Sequence, residues 1–154
     1  LYSGTNGKMD ELRAAYGLLQ LNGVDAQRTQ RQWAVAYYRA ALQAVPGIRL
    51  PPEVSDVHSN YGYFPILVDA EVFGTTRDGL YQMFRDNGIF ARRYYYPLCC
   101  HFPPYSVGYE KSGKTLKVAE KVADNVLCLP LSADLNRESL DRILDVVFTA
   151  AKIK

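Results

Sequence analysis

Gly4-Thr5-Asn6-Gly7-Lys8-Met9-Asp10-Glu11-Leu12 opens the chain with a polar, glycine-flanked turn that leads directly into a helical pattern. Asn6 is suited to cap that helix by accepting a hydrogen bond from a first-turn amide. Asp10 and Glu11 come early in the helix, where the dipole favours negative charge. The same turn also suits an anion, because an amide side chain, a lysine and helix N–H groups together hold a phosphate. The residues alone leave both interpretations open, a plain helix start and an anion site.

Apolar periodicity divides the rest of the chain into alternating helices and strands. Helices are predicted over residues 8–21, 26–45, 75–87, 116–123 and 137–151, and strands over residues 61–68, 91–96 and 126–131. Asp25 is suited to cap the second helix, Pro46 and Gly47 stop it, and Gly88 suits the exit of the third. Residues 99–113, rich in Pro, Gly and aromatic residues, are predicted to be a loop. This order predicts an α+β fold in which helices cover a small sheet.

Composition narrows the class of protein. The chain has 154 residues, of which 48% are hydrophobic and 22% charged, as in an ordinary globular domain. A net charge of +2 gives no sign of nucleic-acid binding, and no apolar run is long enough to span a membrane. Three cysteines, two of them adjacent, do not form a disulfide framework and favour a reducing, cytoplasmic setting.

Three segments carry a family resemblance. GTNGKMDELRAAYGLLQL (residues 4–21) resembles the run that opens the C-terminal part of the DegT/DnrJ/StrS family of sugar aminotransferases. GIFARRYYYPL (residues 88–98) resembles that family's strand ending in a Tyr-Pro pair, and VLCLPL (residues 126–131) resembles its late Leu-Pro-Leu strand. The three occur in the family's order and span nearly the whole chain.

The resemblance implies the C-terminal small domain of a fold-type I pyridoxal-phosphate enzyme. Such a domain has a small, mostly antiparallel sheet covered by helices and preceded by a long linking helix, here as one domain over residues 1–154. The Schiff-base lysine of the family lies upstream and matches no residue here. Because the chain starts abruptly in a motif, we expect a C-terminal piece of the enzyme that is inactive by itself.

The resemblance also implies the reaction. Family members transfer an amino group, usually from glutamate, to a keto-deoxyhexose attached to a nucleotide. The Tyr-Tyr-Pro form of the motif at Tyr95–Pro97 is similar to the branch that acts on dTDP-linked 3-keto or 4-keto sugars. We therefore expect a homodimer with pyridoxal 5'-phosphate as cofactor and a nucleotide-sugar as substrate. The identity of the sugar and the position aminated are not readable from these residues.

The motif match assigns site residues at the start of the chain and after residue 91. Asn6 is expected to reach the cofactor phosphate of the partner subunit, and Lys8 either adds charge there or is a surface lysine. Tyr95 and Tyr96 are expected near the hexose, although neighbouring strand residues face opposite sides, so at most one faces the site. The alternative is that both are ordinary core or strand tyrosines.

The position of the family's histidine is ambiguous by one residue. Counting forward from Pro97 favours His101 as the substrate-side residue, whereas counting back from Tyr105 favours Cys100. Adjacent Cys99 and Cys100 cannot easily ligate one tetrahedral ion, and the chain has no second Cys/His pair, so no metal site is predicted.

Two arginines and a second histidine complete the candidates. Arg92 and Arg93 could meet a diphosphate, but alternation along a strand would turn them to opposite faces. The alternatives for them are a salt bridge or a solvated edge. His58 has no partner residue in sequence and is interpreted as a loop histidine.

A competing hypothesis needs no upstream enzyme. The chain could be a stand-alone α+β module that binds a ligand or a partner and catalyses nothing. The absence of a complete catalytic constellation favours this alternative, and the abrupt start counts against it.

Overall fold

The computed structural model describes residues 7–151. Within these residues the chain forms seven α-helices and three strands. The helices are α1 (Glu11–Leu21), α2 (Val24–Leu42), α3 (Ala70–Phe73), α4 (Arg77–Asp86), α5 (Pro103–Lys111), α6 (Lys117–Asn125) and α7 (Arg137–Ala151). The strands are β1 (Ile48–Arg49), β2 (Phe64–Val68) and β3 (Val126–Leu129), and a 3-10 turn spans Cys99–His101.

The strands form one antiparallel sheet in the order β1-β2-β3, with β2 in the middle. Phe64 pairs with Leu129 and Ile66 with Leu127, so these four side chains share one face. All four are buried in the main hydrophobic cluster. The predicted α+β class and the antiparallel sheet are therefore confirmed.

Helices α2, α4 and α7 supply the other side of this core. The fully buried helix residues include Tyr38 and Leu42 of α2, Leu80 and Phe84 of α4, and Leu140 and Val147 of α7. Their spacing of four or seven residues places each helix's apolar stripe against the sheet. On the opposite face of β2, Leu67 shares a cleft with Val118 and Val122 of α6.

The first helix begins later than predicted. Its N-cap is Asp10, whose carboxylate accepts a hydrogen bond from the Arg13 amide at 2.9 Å. Asn6, proposed as the cap, lies outside the described residues. The cap of α2 was also misplaced, because Gly23 occupies the N-cap and Asp25 lies in the first turn.

The predicted linking helix is broken into α1 and α2, and no other described part of the structure covers α1. Asn22 and Gly23 separate α1 from α2. No residue of α1 is buried, and its large apolar side chains are 65% to 84% exposed: Leu12, Tyr16, Leu18, Leu19 and Leu21. An exposed apolar stripe of this size is typical of a surface that meets other protein.

The strand predicted over residues 91–96 is wrong. Only Arg92 pairs with the sheet, through two hydrogen bonds to Cys128 at the free edge of β3. The chain then turns, since the Tyr96 amide donates to the Arg93 carbonyl at 3.0 Å. Beyond β3, Pro130 has no N–H group and cannot extend the ladder.

The loop predicted over residues 99–113 is also wrong in part, because it contains α5. Pro103 and Pro104 occupy the first turn of that helix. Proline is tolerated there, since the first-turn amides have no partner within the helix. The two prolines thus begin a helix rather than interrupt one.

Glycines end the local elements where the backbone requires a positive φ. Gly88 adopts φ +69° after α4, as its predicted position at the helix exit requires. Gly47 adopts φ +79°, and a Cβ there would lie 2.4 Å from the Phe73 amide nitrogen. Only glycine therefore fits where the chain enters β1, a two-residue strand that the sequence pattern did not predict.

Tyr38 gives a test of the core. Its hydroxyl donates to the Pro130 carbonyl at 2.9 Å, and burial raises the pKa of Tyr38 above its usual range. We expect Tyr38→Phe to destabilise the fold by about 1 kcal/mol at neutral pH by leaving that carbonyl unpaired. The free energy of unfolding should be measured by denaturant titration.

The pH dependence of the same variant has a defined sign. The folded chain keeps the Tyr38 proton in a range where the unfolded chain loses it, so stability falls as pH rises above about 10. Tyr38→Phe should make that fall shallower, whereas Tyr16→Phe on the exposed face of α1 should not. An unchanged alkaline slope in Tyr38→Phe would contradict this assignment.

Candidate functional site

The segment that carries the predicted binding residues is held at its start by the core and the sheet. Ala91 is buried, and the Ile89 amide donates to the Phe84 carbonyl at 2.8 Å, which closes α4. Arg92 exchanges two backbone hydrogen bonds with Cys128, at 3.0 and 2.7 Å. From this bridge the segment turns outward, and it places Tyr95, Tyr96 and His101 in three different contact groups.

Two arginines contact the Tyr96 ring. The guanidinium carbon of Arg77 is 4.8 Å from the centre of the Tyr96 ring, and that of Arg93 is 5.7 Å away. Arg93 also lies 4.6 Å from the ring centre of Tyr81 on α4. Cations at these distances are attracted to the ring face, so Tyr96 is held against α4.

Asp78 joins the two arginines. Its Oδ1 accepts a hydrogen bond from Arg93 Nη1 at 3.0 Å and lies 2.9 Å from Arg77 Nε. The second contact has the distance of an ion pair without the directionality of a hydrogen bond, since Arg77 Nε makes no hydrogen bond. One carboxylate therefore compensates part of the charge of both guanidinium groups.

Arg77 itself is held by two backbone carbonyls. Its side chain is 2% exposed, and Nη1 donates to the carbonyls of Ala123 and Val126 at 3.0 and 3.2 Å. These carbonyls lie where α6 ends and β3 begins, and carbonyls at a helix C-terminus attract cations. Arg77 thus connects α4, the α6–β3 junction and the Tyr96 ring.

Tyr95 belongs to an aromatic group on the surface. Its ring stacks on Tyr94 with centroids 4.9 Å apart, and Tyr94 meets Tyr63 edge to face at 5.2 Å. Arg92 contacts the Tyr94 hydroxyl. The neighbouring Tyr63 hydroxyl raises the pKa of Tyr95. Tyr95 is nevertheless 68% exposed, which leaves much of it open to a ligand.

His101 lies in a third group with Tyr109 and Glu120. The Tyr109 hydroxyl donates to Glu120 Oε1 at 2.9 Å and accepts from the Leu116 amide at 3.0 Å. His101 Nε2 is 3.7 Å from the same Glu120 oxygen. Desolvation, followed by the hydrogen bond to Glu120, raises the pKa of Tyr109. The cluster ties the 3-10 turn and α5 to α6.

The two arginines proposed for a diphosphate are separated by their contacts. Arg93 is paired with Asp78 and lies on two tyrosine rings, whereas Arg92 turns to Tyr94. Their side chains have no contact in common, and since residues 91–96 do not form the predicted strand, the alternation expected of a strand is not the reason.

The start of α1 does not offer a free anion site. Asp10 accepts from the Arg13 amide and pairs with Arg13 Nε at 3.2 Å, so a carboxylate already occupies the helix N-terminus. Lys8 is exposed just before this cap. Any phosphate contact from this region therefore depends on side chains such as Lys8, rather than on first-turn amides.

A cleft of about 680 Å³ lies away from the predicted residues. It separates the β1–β2 end of the sheet from α6, and its charged lining consists of Arg49, Asp69, Glu71, Lys117 and Lys121. Because the cations there face carboxylates, the cleft has no strong preference for an anion. Size alone does not make it the functional site.

Neither a metal-binding cluster nor a membrane-spanning helix is found within residues 7–151. No three His, Cys, Asp or Glu side chains in that range come together where they could hold a metal ion. No helix in that range has the length and apolarity to cross a membrane.

Sequence reasoning missed four residues of these groups: Arg77, Asp78, Tyr109 and Glu120. Arg77 and Asp78 read as ordinary polar residues in the first turn of a helix, and burial of the arginine depends on tertiary packing. Tyr109 was assigned to a loop, so its position opposite Glu120 had no signal in the pattern.

Tyr109 gives a test of the third group. Tyr109→Phe removes the acceptor of the Leu116 amide and the donor to Glu120, so we expect faster hydrogen exchange at Leu116 and the start of α6. Tyr105→Phe, on the exposed side of the same helix, is the matched control and should leave exchange unchanged. Equal exchange in the wild type and Tyr109→Phe would show that this hydroxyl does not hold α6.

Comparison with known proteins identifies relatives along the whole chain. The model of the DegT/DnrJ/EryC1/StrS aminotransferase family matches residues 1–148. The chain is 41% identical over 140 residues to dTDP-4-amino-4,6-dideoxy-D-glucose transaminase of Escherichia coli, and the match covers 91% of this chain and 38% of that protein. The chain thus spans little more than a third of that relative's length.

Two solved structures have the same fold over nearly all of this chain. S. venezuelae DesV in complex with a ketimine intermediate superposes with a TM-score of 0.86 at 28% identity, covering 99% of this chain and 39% of that chain. NtdA from Bacillus subtilis with bound cofactor PMP superposes with a TM-score of 0.82 at 28% identity, covering 99% and 34%.

Proposed function

Because the chain belongs to the DegT/DnrJ/EryC1/StrS aminotransferase family, we propose that it is the C-terminal part of a nucleotide-sugar aminotransferase. The proposed reaction transfers an amino group from glutamate to a dTDP-linked 3-keto or 4-keto deoxyhexose. The observation that carries this proposal is the 41% identity over 140 residues with a dTDP-sugar transaminase. Residues 1–154 form one C-terminal domain in this proposal, and the domain alone is inactive.

The uncovered face of α1 supports a larger assembly. Leu12 is 84% exposed and Leu19 is 68% exposed, although both belong to a regular apolar stripe. Such a stripe is stabilised when it packs against other protein. We assign this surface to the rest of the enzyme, which in the proposal is a homodimer.

The proposed cofactor is pyridoxal 5'-phosphate, which when bound serves as the electron sink for amino transfer. Among the described residues, Lys8 is an exposed cation that fits a contact with the cofactor phosphate. The share of these residues is minor, because the carboxylate of Asp10 occupies the N-terminus of α1. Asn6, outside the described residues, is proposed to donate to the phosphate in the partner subunit's site. The Schiff-base lysine is assigned to the part of the enzyme outside this chain.

The chain's own contribution to the substrate site is binding and orientation. Tyr95 is exposed and keeps its hydroxyl proton, so it suits a hydrogen bond with a sugar hydroxyl. His101 is held beside Glu120 on the following 3-10 turn, and we assign it a contact with the same ligand. Tyr96 is engaged by Arg77 and Arg93, and we therefore assign the sugar contact to Tyr95.

The proposed setting is the cytoplasm. Cys99, Cys100 and Cys128 are free thiols in the structure, and exposed thiols such as Cys99 persist in a reducing compartment.

The function is tested on the full-length protein. Incubation with glutamate and a dTDP-linked keto-deoxyhexose should yield the amino sugar and 2-oxoglutarate in equal amounts, followed by mass spectrometry. Tyr95→Phe should lower kcat/KM roughly tenfold, the effect of losing one hydrogen bond to a neutral ligand. His101→Ala should lower kcat/KM in the same direction.

Tyr96→Phe is the matched control, because it keeps the ring that both arginines contact. It should retain wild-type kinetics, and none of the three variants should greatly lower the thermal midpoint. If Tyr95→Phe and His101→Ala both match the wild type on the nucleotide-sugar, this segment is not the sugar site.

Assembly of the site from two subunits is tested by complementation. Asn6→Ala and a variant lacking the upstream lysine should each be inactive as homodimers. A mixed dimer places both lesions in one site and leaves the other intact, so about half the sites of each heterodimer should work. Heterodimers that form without recovering activity would show that Asn6 does not act across the interface.

A further inference from the structure

The surroundings of Tyr96 have a consequence for the neighbouring Tyr95. We call Arg77, Asp78 and Arg93 the Tyr96 clamp. Two of its members, Arg77 and Asp78, begin α4, and the third, Arg93, lies in the segment that carries the tyrosines. The clamp therefore connects a core helix to the segment that presents Tyr95.

The clamp has a fixed base. Arg77 is 2% exposed and donates to two backbone carbonyls at the α6–β3 junction, so its guanidinium cannot move without leaving a buried charge unpaired. Its guanidinium carbon lies 4.8 Å from the centre of the Tyr96 ring. A rigid, planar guanidinium suits contact with an aromatic face better than a lysine would.

Arg93 provides the second contact between the clamp and the Tyr96 ring. Arg93 lies on the Tyr96 ring and reaches Asp78, the carboxylate that faces Arg77. The ring is 47% exposed, so its position depends on these contacts more than on burial. The other described fixed point at this end of the segment is the backbone bridge between Arg92 and Cys128.

Tyr95 is one residue from the clamped ring and is itself mostly exposed. It stacks on Tyr94, which in turn meets Tyr63, and Tyr63 is itself 58% exposed. Exposed neighbours give weak positional restraint, because each side chain retains its own rotamer freedom. Through Tyr96, the residue next to Tyr95, the clamp connects this part of the segment to the buried Arg77.

We infer that the Tyr96 clamp positions Tyr95 for the nucleotide-linked sugar, so that Arg77, Asp78, Arg93 and Tyr96 are positioning residues. This inference rests on the proposed function for its substrate. Tyr96 acts through the face of its ring, and its hydroxyl is dispensable. Loss of the ring releases the 93–98 segment while the core of α2, α4 and α7 stays folded.

The first test needs no enzymatic activity. Hydrogen exchange of the backbone amides in residues 93–98, apart from Pro97, is compared in the full-length protein for the wild type, Tyr96→Leu and Tyr96→Phe, with α7 as internal reference. Tyr96→Leu should speed exchange in 93–98 severalfold without changing α7, and Tyr96→Phe should match the wild type. Unchanged exchange in Tyr96→Leu overturns the clamp.

The second test separates positioning from stability by a double-mutant cycle in the full-length enzyme. Tyr96→Leu should lower kcat/KM roughly tenfold, as expected for Tyr95→Phe, and the double variant should fall no further. Tyr96→Phe, which keeps the ring, should retain the wild-type kcat/KM. Effects of Tyr96→Leu and Tyr95→Phe that multiply independently overturn positioning through Tyr95.

The two tests also separate this inference from the proposed function. If the wild-type enzyme does not aminate the keto-sugar, the proposed function fails and the substrate assigned to Tyr95 is withdrawn with it. The exchange measurement still decides whether the clamp holds the segment.

Discussion

The buried guanidinium of Arg77 constrains the part of the fold on which the candidate site depends. It comes from the first turn of α4 and binds two carbonyls where α6 meets β3. Removing a buried cation from water is costly unless it finds charge and acceptors, and Asp78 and the two carbonyls provide them. The same group then meets the Tyr96 ring, so satisfying one buried charge also fixes an exposed segment.

The division of the chain into a packed core and uncovered surfaces agrees with its share of the relatives' length. The sheet and α2, α4 and α7 bury a continuous apolar cluster. In contrast, α1 buries nothing, and the candidate binding residues lie on the surface rather than in an enclosed cavity. If a binding site is assembled from several parts of a larger protein, each part alone has exposed binding residues and no enclosed cavity.

The sequence predicted elements correctly where a regular apolar pattern coincides with clear start and stop residues. The predictions failed where contacts between distant parts of the chain determine the local structure. Helix α7 spans the predicted residues, because its apolar stripe is regular. The strand predicted at 91–96 reduces to the Arg92 bridge, since a β-rich composition does not specify a partner. Tyr95 and Tyr96 have different contacts, but the strand alternation from which a difference was expected is absent, and Arg77, which contacts Tyr96, lies elsewhere in the chain.

The central claim is that a fixed Tyr96 presents Tyr95 to the sugar. A crystal structure of the full-length enzyme with its cofactor and a dTDP-linked sugar tests it directly, through two distances. The account predicts the Tyr95 hydroxyl about 3 Å from a hexose oxygen, with the Tyr96 ring still lying on Arg77. A Tyr96 ring turned away from Arg77 into the sugar site, with Tyr95 out of hydrogen-bond reach, would contradict it.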